Sequence, residues 1–111
     1  MATALNVFKT ITANLTTNSN VIYTAPALKT SIILSLQVTN ITASTANTTF
    51  FHSTSTNQLV EVCKDFEIPT KDSASILTGK LVLETGQKIV GLAGANAALR
   101  VVMSLLETAN D

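Results

Sequence analysis

The chain offers one imidazole, one thiol, a short run of carboxylates and many hydroxyls as raw material for chemistry. His52 is the sole histidine, so a multi-histidine zinc site is excluded, and a cysteine-histidine pair would depend on Cys63, the sole cysteine. A lone histidine following Phe50 and Phe51 reads as a surface or loop residue rather than a catalyst. Cys63 stands in an alternating segment with no second cysteine, glycine-rich elbow or helix N-terminus to lower its pKa, and reads as a small half-buried side chain. Glu61, Asp65 and Glu67 share one face of that segment and could in principle supply calcium ligands or glycosidase acids. Calcium loops bunch their oxygens in a turn, however, and paired catalytic acids come from different elements, so a solvated strand face is expected. The serines sit in no Gly-x-Ser-x-Gly elbow, and neither a Walker loop nor Gly-x-Gly-x-x-Gly occurs. Gly91-Leu-Ala-Gly94 is a turn of small residues rather than a phosphate cradle. These residues lead to the expectation of no catalytic, cofactor-binding or metal site, and of a protein that is not an enzyme.

The elements that position these side chains follow from composition and periodicity. At 111 residues the chain is one domain, expected to span 1–111, with residues 1–13 an N-terminal edge strand or arm. Seven basic residues balance seven acidic ones, and only 13% of residues are charged, which argues against a nucleic-acid or basic membrane-surface partner. A single cysteine permits no internal disulfide, so the fold must rest on its apolar core. Thr, Ser and Asn occupy 36 of the 111 positions, so hydroxyls and amides replace charge as the solubilising groups. With 46% hydrophobic residues, many of them β-branched, this mixture favours strands and surfaces that tolerate close contact with other subunits. The opening Met1-Ala-Thr-Ala-Leu-Asn-Val-Phe-Lys9 lacks a basic segment leading into an apolar run, and the longest apolar runs are too short to cross a bilayer as helices. A soluble protein made without a secretion signal is expected. Three glycosylation-type sequons begin at Asn14, Asn40 and Asn47, as an Asn- and Thr-rich chain produces by chance, and no use of them is expected.

Along the chain, Leu5 to Ala13 alternates loosely and predicts an edge strand. Val21 to Thr24 predicts a short strand stopped by Ala25-Pro26. Ile32 to Ile41 predicts a long strand with Ile32, Leu34, Leu36 and Val38 on its core face. Thr42 to Asn47 predicts a small-polar loop, Thr48 to Thr54 a return strand, and Ser53 to Asn57 a turn. Val60, Val62, Phe66 and Ile68 at period two predict a strand with these residues inward and Glu61, Cys63, Asp65 and Glu67 outward. Glu84-Thr-Gly-Gln87 predicts a tight hairpin turn between Lys80–Glu84 and Lys88–Leu92, Gly86 supplying positive φ. For Leu99 to Glu107 a helical stripe and a strand face both fit, and the valines and the preceding turn favour the strand. Lys29 and Lys80 each precede a strand, where solubility and edge protection are their expected roles. Turn signals every 8 to 12 residues or so predict an all-β fold, an antiparallel β-sandwich (Ig-like or jelly-roll-like) of about seven to eight strands.

Three segments carry a family resemblance: Val21-Ile-Tyr-Thr-Ala-Pro-Ala-Leu-Lys-Thr-Ser-Ile-Ile-Leu-Ser-Leu-Gln-Val-Thr-Asn40, Gly79-Lys-Leu-Val-Leu-Glu-Thr-Gly-Gln-Lys-Ile89 and Val101-Val-Met-Ser-Leu-Leu-Glu107. Together they resemble small virion structural proteins of tailed bacteriophages, of the marine and cyanobacterial phage type. The matching patterns are a Tyr-Thr-x-Pro then Lys-Thr-Ser opening, a Val-x-Asn strand, a Lys-x-Val-Leu-Glu-x-Gly turn and a Val-x-x-Ser-x-Leu-Glu strand. The chain departs from that type at Gln87, where an acidic residue is common, and in having His52 and Cys63.

The resemblance implies a non-enzymatic virion structural protein, foremost a capsid decoration or cement protein that stabilises the head. The alternatives are a neck, collar or tail component and, from another class, a carbohydrate- or receptor-binding module. The latter has little aromatic support in a chain with Phe8, Tyr23, Phe50, Phe51 and Phe66 but no Trp. Implied partners are the major capsid protein or other virion proteins and further copies of the chain, as a trimer or ring, with no nucleic acid, membrane or cofactor. The implied location is the phage particle, assembled in the host cytoplasm. A cement role implies that the low-charge Thr42–Asn47 and Ser53–Asn57 loops and the Leu5–Ala13 edge segment meet neighbouring subunits, with Leu5, Val7, Phe8, Thr42, Ser44, Thr45, Phe51 and Thr54 as the expected interface residues. An unpaired Leu5–Ala13 edge could add to a capsid protein's sheet by strand augmentation.

Overall fold

A computed structural model of the chain describes residues 6–77 and 79–109. These residues form nine strands: β1 (Asn6–Asn14), β2 (Asn20–Thr24), β3 (Lys29–Asn40), β4 (Ala46–Ser53), β5 (Leu59–Ile68), β6 (Ser73–Ser75), β7 (Leu81–Leu83), β8 (Lys88–Ala93) and β9 (Leu99–Ala109). All ladders are antiparallel, in two sheets. One sheet has the order β1-β9-β3-β6 with β7 also on β3, and the other β2-β8-β4-β5. β6 and β7 pair with successive stretches of the same edge of β3, so they act as one interrupted strand. The all-β sandwich expected from the sequence is what forms. The expected count of seven to eight falls short of nine because β6, only three residues of Ser-Ala-Ser, carries no hydrophobic alternation.

The ladders are nested. β1 pairs with β9, β2 with β8, β3 with β6 and β7, and β4 with β5, while β9·β3 and β8·β4 contacts join these hairpin-like pairs into sheets. A long antiparallel ribbon rolled on itself produces this order, the jelly-roll form of the sandwich. Leu15, Ile33, Leu36, Val38, Phe50, Ile68, Leu83, Leu99, Met103 and Leu105 fill the space between the sheets, all essentially without solvent contact. In β9 the expected face of Leu99, Val101, Met103 and Leu105 is buried, which settles strand over helix there.

Three expectations fail, each for a backbone reason. In β3, Ile33 lies opposite Leu105 but Ser35 lies opposite Ser104, so Leu34 is an extra residue in the ladder. Because side chains alternate with period two, one inserted residue reverses the facing of everything before it. Ile33, Leu36 and Val38 are therefore the buried set, while Ile32 and Leu34 are only half-buried.

In β5 the register shifts twice, between Phe66 and Cys63 and between Cys63 and Glu61, and Asp65 has φ 48°. Val62 and Cys63, neighbours in sequence, consequently both pack against the core, which corrects the expectation that Cys63 faces outward. Ile68 is buried, but Val60 and Phe66 are exposed on this edge strand rather than inward.

Glu84–Gln87 does form a tight turn, closed by Gln87 N–H donating to Glu84 O at 2.9 Å with Gly86 at φ 84°. The strands it joins are not a hairpin, however, since β7 pairs with β3 and β8 with β4 and β2. The turn carries the chain from one sheet to the other.

Gly91 sits opposite Phe50, whose ring covers its backbone. A Cβ at Gly91 would lie 2.8 Å from the ring edge of this fully buried side chain. Gly91→Ala is expected to destabilise the fold by about 1–3 kcal/mol through overpacking, read as a lowered thermal midpoint. An unchanged midpoint would show that Phe50 can move aside.

Candidate functional site

The structure disperses the expected interface residues. Leu5 lies outside the described residues. Val7 points inward from β1, opposite Glu107, and is half-buried, whereas Phe8 points outward, opposite Leu106, and is 74% exposed. Thr42, Ser44 and Thr45 lie in the β3–β4 loop, and Thr54 lies just beyond the opposite end of β4. Phe51 is half-buried on the outer face of the second sheet, opposite Glu61 and Val90. No single patch collects them.

The β3–β4 loop is occupied with its own architecture. Asn40, fully buried, donates from Nδ2 to Ser44 O at 2.8 Å and Ile68 O at 3.0 Å, and its Oδ1 accepts from Thr42 N–H at 2.9 Å and Thr42 Oγ1 at 2.7 Å. Every hydrogen-bonding position of that amide is used. Thr42 and Ser44 thus shape the loop, and only Thr45 among the three makes no such bond to Asn40.

β1 is the sheet edge the sequence predicts, but it is paired with β9 from Asn6↔Thr108 through Asn14↔Arg100. Only its outer edge is open to strand addition.

No sequence motif points to the chemically distinctive cluster. Glu107 lies in β9 in phase with the core residues and is 1% exposed. Its Oε2 accepts a 2.5 Å hydrogen bond from the Tyr23 hydroxyl, which lies 2.6 Å from Ser31 Oγ. Its Oε1 takes no hydrogen bond but faces the ammonium groups of Lys9 at 3.2 Å and Lys29 at 3.6 Å. Lys29 is therefore an ion-pair partner of a buried carboxylate, beyond the solubilising role expected of it. Burial pushes the Glu107 carboxyl up, but the Tyr23 hydroxyl and the two ammonium groups outweigh it and hold the carboxyl below its ordinary range. Tyr23 is pushed up from 10.0 to about 12, first by burial and then by its bond to Glu107. Tyr23 comes from β2 in one sheet, and Glu107, Ser31, Lys9 and Lys29 come from β9, β3 and β1 in the other. The cluster clamps the two sheets together.

The remaining reactive groups are separated. Cys63 Sγ lies 3.9 Å from Thr48 O, and burial raises its thiol pKa, which makes it a poor nucleophile. Glu61, Asp65 and Glu67 are exposed and, among the described residues, no group of carboxylate, thiol and imidazole side chains is placed to hold a metal ion. Glu61 and Glu67 stand on the outer face of the second sheet, opposite Phe51 and Asn47. His52 Nε2 lies 3.1 Å from Gln87 Oε1, which also accepts from Glu84 N–H at 2.9 Å. Two of the positions that depart from the phage-protein resemblance are thus partners across the inter-sheet turn. A cleft of about 310 Å³ between Leu15, Ile41, Leu99, Arg100 and Asn96 is lined mostly by apolar atoms.

The Tyr23–Glu107 pair makes stability depend on pH at both extremes. Glu107, with a lowered folded pKa, contributes stability above the ordinary carboxylate range that is lost as pH falls through its folded value. Tyr23, with a raised one, contributes stability below pH 10.0 that is lost as pH rises through about 12. Denaturant midpoints measured across pH should fall on both sides of a neutral plateau, and Tyr23→Phe should lower the plateau while making the alkaline fall shallower. Equal alkaline slopes in the two proteins would remove Tyr23 from this role.

No protein-family model and no curated protein matches the sequence. Solved structures do resemble its fold. A pilus protein of Bacillus endospore appendages, described as a novel family of disulfide-linked pili, superposes with a TM-score of 0.58 at 13% identity, over 96% of this chain and 88% of that one. The nucleoplasmin-like N-terminal domain of Drosophila FKBP39 gives 0.53 at 13% identity, over 100% and 98%. A chain of infectious bursal disease virus, Gx strain, gives 0.52 at 12% identity over 95% of this chain, which spans 32% of the viral one. At such identities the likeness establishes a shared β-sandwich architecture.

Proposed function

We propose that the chain is a non-enzymatic structural subunit of a virus particle, a bacteriophage capsid decoration protein that binds the outside of the head. The observation that carries this reading is the quality of the surface the fold leaves open. Phe8, Val21, Leu28, Leu59, Val60, Phe66, Val82 and Val102 all stand at least 42% exposed on a domain whose strands are otherwise clothed in Thr, Ser and Asn. Exposed apolar side chains in such numbers suit a subunit that spends its working life against other protein. The jelly-roll order supports the same reading, because it closes the domain into a rigid block, a form used by viral capsid proteins. The fold likeness to a chain of a virus particle and to a pilus subunit accords with it, both being proteins of repetitive assemblies. On a shell offering many identical sites, weak attachment per copy becomes secure when neighbouring copies also touch.

Cryo-electron microscopy of particles purified from the culture that makes this chain tests the proposal. Density matching the sandwich is expected at repeated positions on the outer shell. Density at the neck or tail would move the subunit there and end the decoration reading, and absence from the particle would end the virion reading altogether.

A further inference from the structure

The outer face of the β1-β9-β3-β7 sheet carries an apolar row that the pairing lays out residue by residue. Phe8 lies opposite Leu106, Leu106 opposite Ile32, and Ile32 opposite Val82. Directly opposed residues on one face bring their Cβ atoms to about 5 Å, so the four side chains form a continuous ridge across the sheet. Its ends are open, with Phe8 74% and Val82 52% exposed, while Leu106 and Ile32 are half-buried.

On β1, β9 and β3 the rows on either side are uncharged, Asn6, Thr108 and Thr30 to one side and Thr10, Ser104 and Ser35 to the other, while at the β7 end the exposed Lys80 and Glu84, of opposite sign, flank the strand of Val82. Among the described strand residues facing this way the one charge is Arg100, at the far end opposite Asn14 and Thr39. The outer face of the other sheet differs, since Glu61 and Glu67 on β5 and Lys88 on β8 place charges of both signs there.

We infer that this face is the contact between two copies of the chain, packed sheet on sheet about a two-fold axis. The inference extends the reading of a particle subunit by naming how its copies meet, as an isologous pair where the sequence led to the expectation of a trimer or ring. Three features argue for a second copy. A face whose β1, β9 and β3 strands carry one charge, with one charge of each sign beside β7, presents little like-charge repulsion to a second copy of itself. A two-fold axis parallel to the strands and between β3 and β9 reverses the row. It then seats Phe8 of each copy on Val82 of the other, large against small, and Leu106 on Ile32, as facing sheets about 10 Å apart require. Four strands about 4.8 Å apart, over about nine residues at about 3.3 Å each, make a face of about 600 Å² in projection. That is the order of the ~800 Å² of accessible surface per partner found in standard interfaces.

The reversal of the row supplies the test, because it pairs two different positions. Sedimentation velocity from about 1 µM to about 1 mM, the range that brackets weak to moderate dissociation constants, should show wild-type pairs forming. Phe8→Asp and Val82→Lys, both at open positions, should each keep the wild-type circular dichroism and weaken pairing by about tenfold or more. An equimolar mixture of the two variants should recover most of the affinity, because the introduced carboxylate of one copy then meets the introduced ammonium of the other while the second contact stays native. Wild-type chain that stays monomeric throughout, folded variants that pair as well as wild type, or a mixture no tighter than its components would each overturn the contact. Because the measurement needs no particle, monomeric chain still found on the shell would overturn this contact alone. Pairing chain absent from particles would overturn only the particle reading.

Discussion

Glu107 imposes a constraint that most of this fold must satisfy. A carboxylate 1% exposed between two β-sheets is costly unless its charge is met, and three residues from three other strands meet it. Tyr23 has to reach across from β2 in the opposite sheet, Lys9 from the edge strand β1, and Lys29 from the first position of β3. Ser31, two residues further along β3, occupies the other side of the Tyr23 hydroxyl. Those demands fix how far β9 slides against β1 and β3, because a one-residue slip would carry Glu107 outward and leave the ammonium groups facing the uncharged Leu106 or Thr108. Removing one partner from such a group costs about 3–5 kcal/mol, whereas an all-apolar replacement can cost nothing, so what the cluster adds over a hydrophobic core is discrimination between registers.

The bulge at Leu34 does comparable work on the opposite face. With the ladder shifted there, Ile33 continues the core below Leu36 and Val38, and Ile32 is turned outward to stand between Leu106 and Val82. Without the extra residue, Ile32 would point inward and the outer row would be broken at its centre. The same local irregularity therefore completes the core and assembles the apolar ridge. β5 shows the alternative use of bulges, since its two shifts twist an edge strand.

Where the sequence is legible, one physical signal acts alone. Uninterrupted alternation from Leu99 to Leu105 reveals β9 and its buried face, and the glycine in Glu84-Thr-Gly-Gln87 reveals a turn needing positive φ. Where two effects compete, the pattern misleads. Ile32-Ile-Leu34 offers apolar residues at both parities, so alternation cannot distinguish a bulge from a regular strand, and it assigns the core face wrongly over that half of β3. β6 has only small residues and is held by pairing to Gln37–Thr39, a tertiary cause with no local trace. The Glu84–Gln87 turn looks the same locally whether its strands pair with each other or join separate sheets. Glu107 does leave a trace, standing two residues after Leu105 in the phase of the core. A charge at a core position of a well-formed strand signals a buried partner, and Tyr23 and Lys29 lie in or beside strands that the sequence predicts.

The scarcity of charge ties the interior to the exterior. Much of the Thr, Ser and Asn content is used locally: Asn40 braces the β3–β4 loop, Thr16 accepts from Asn18 and Asn20, and Thr54 accepts from Gln58 N–H. Loops held in this way need no ion pairs, and the few charges of the chain are left for the buried cluster, the ends of the sandwich and one of its two outer faces. The remaining face is then free to be read by shape. Contacts made there gain little from electrostatic steering and have to form by close packing of β-branched and aromatic side chains at high local concentration. A rigid domain presented in many copies supplies both the shape and the concentration, which is why a surface unsuited to capturing a dilute ligand is well suited to assembly.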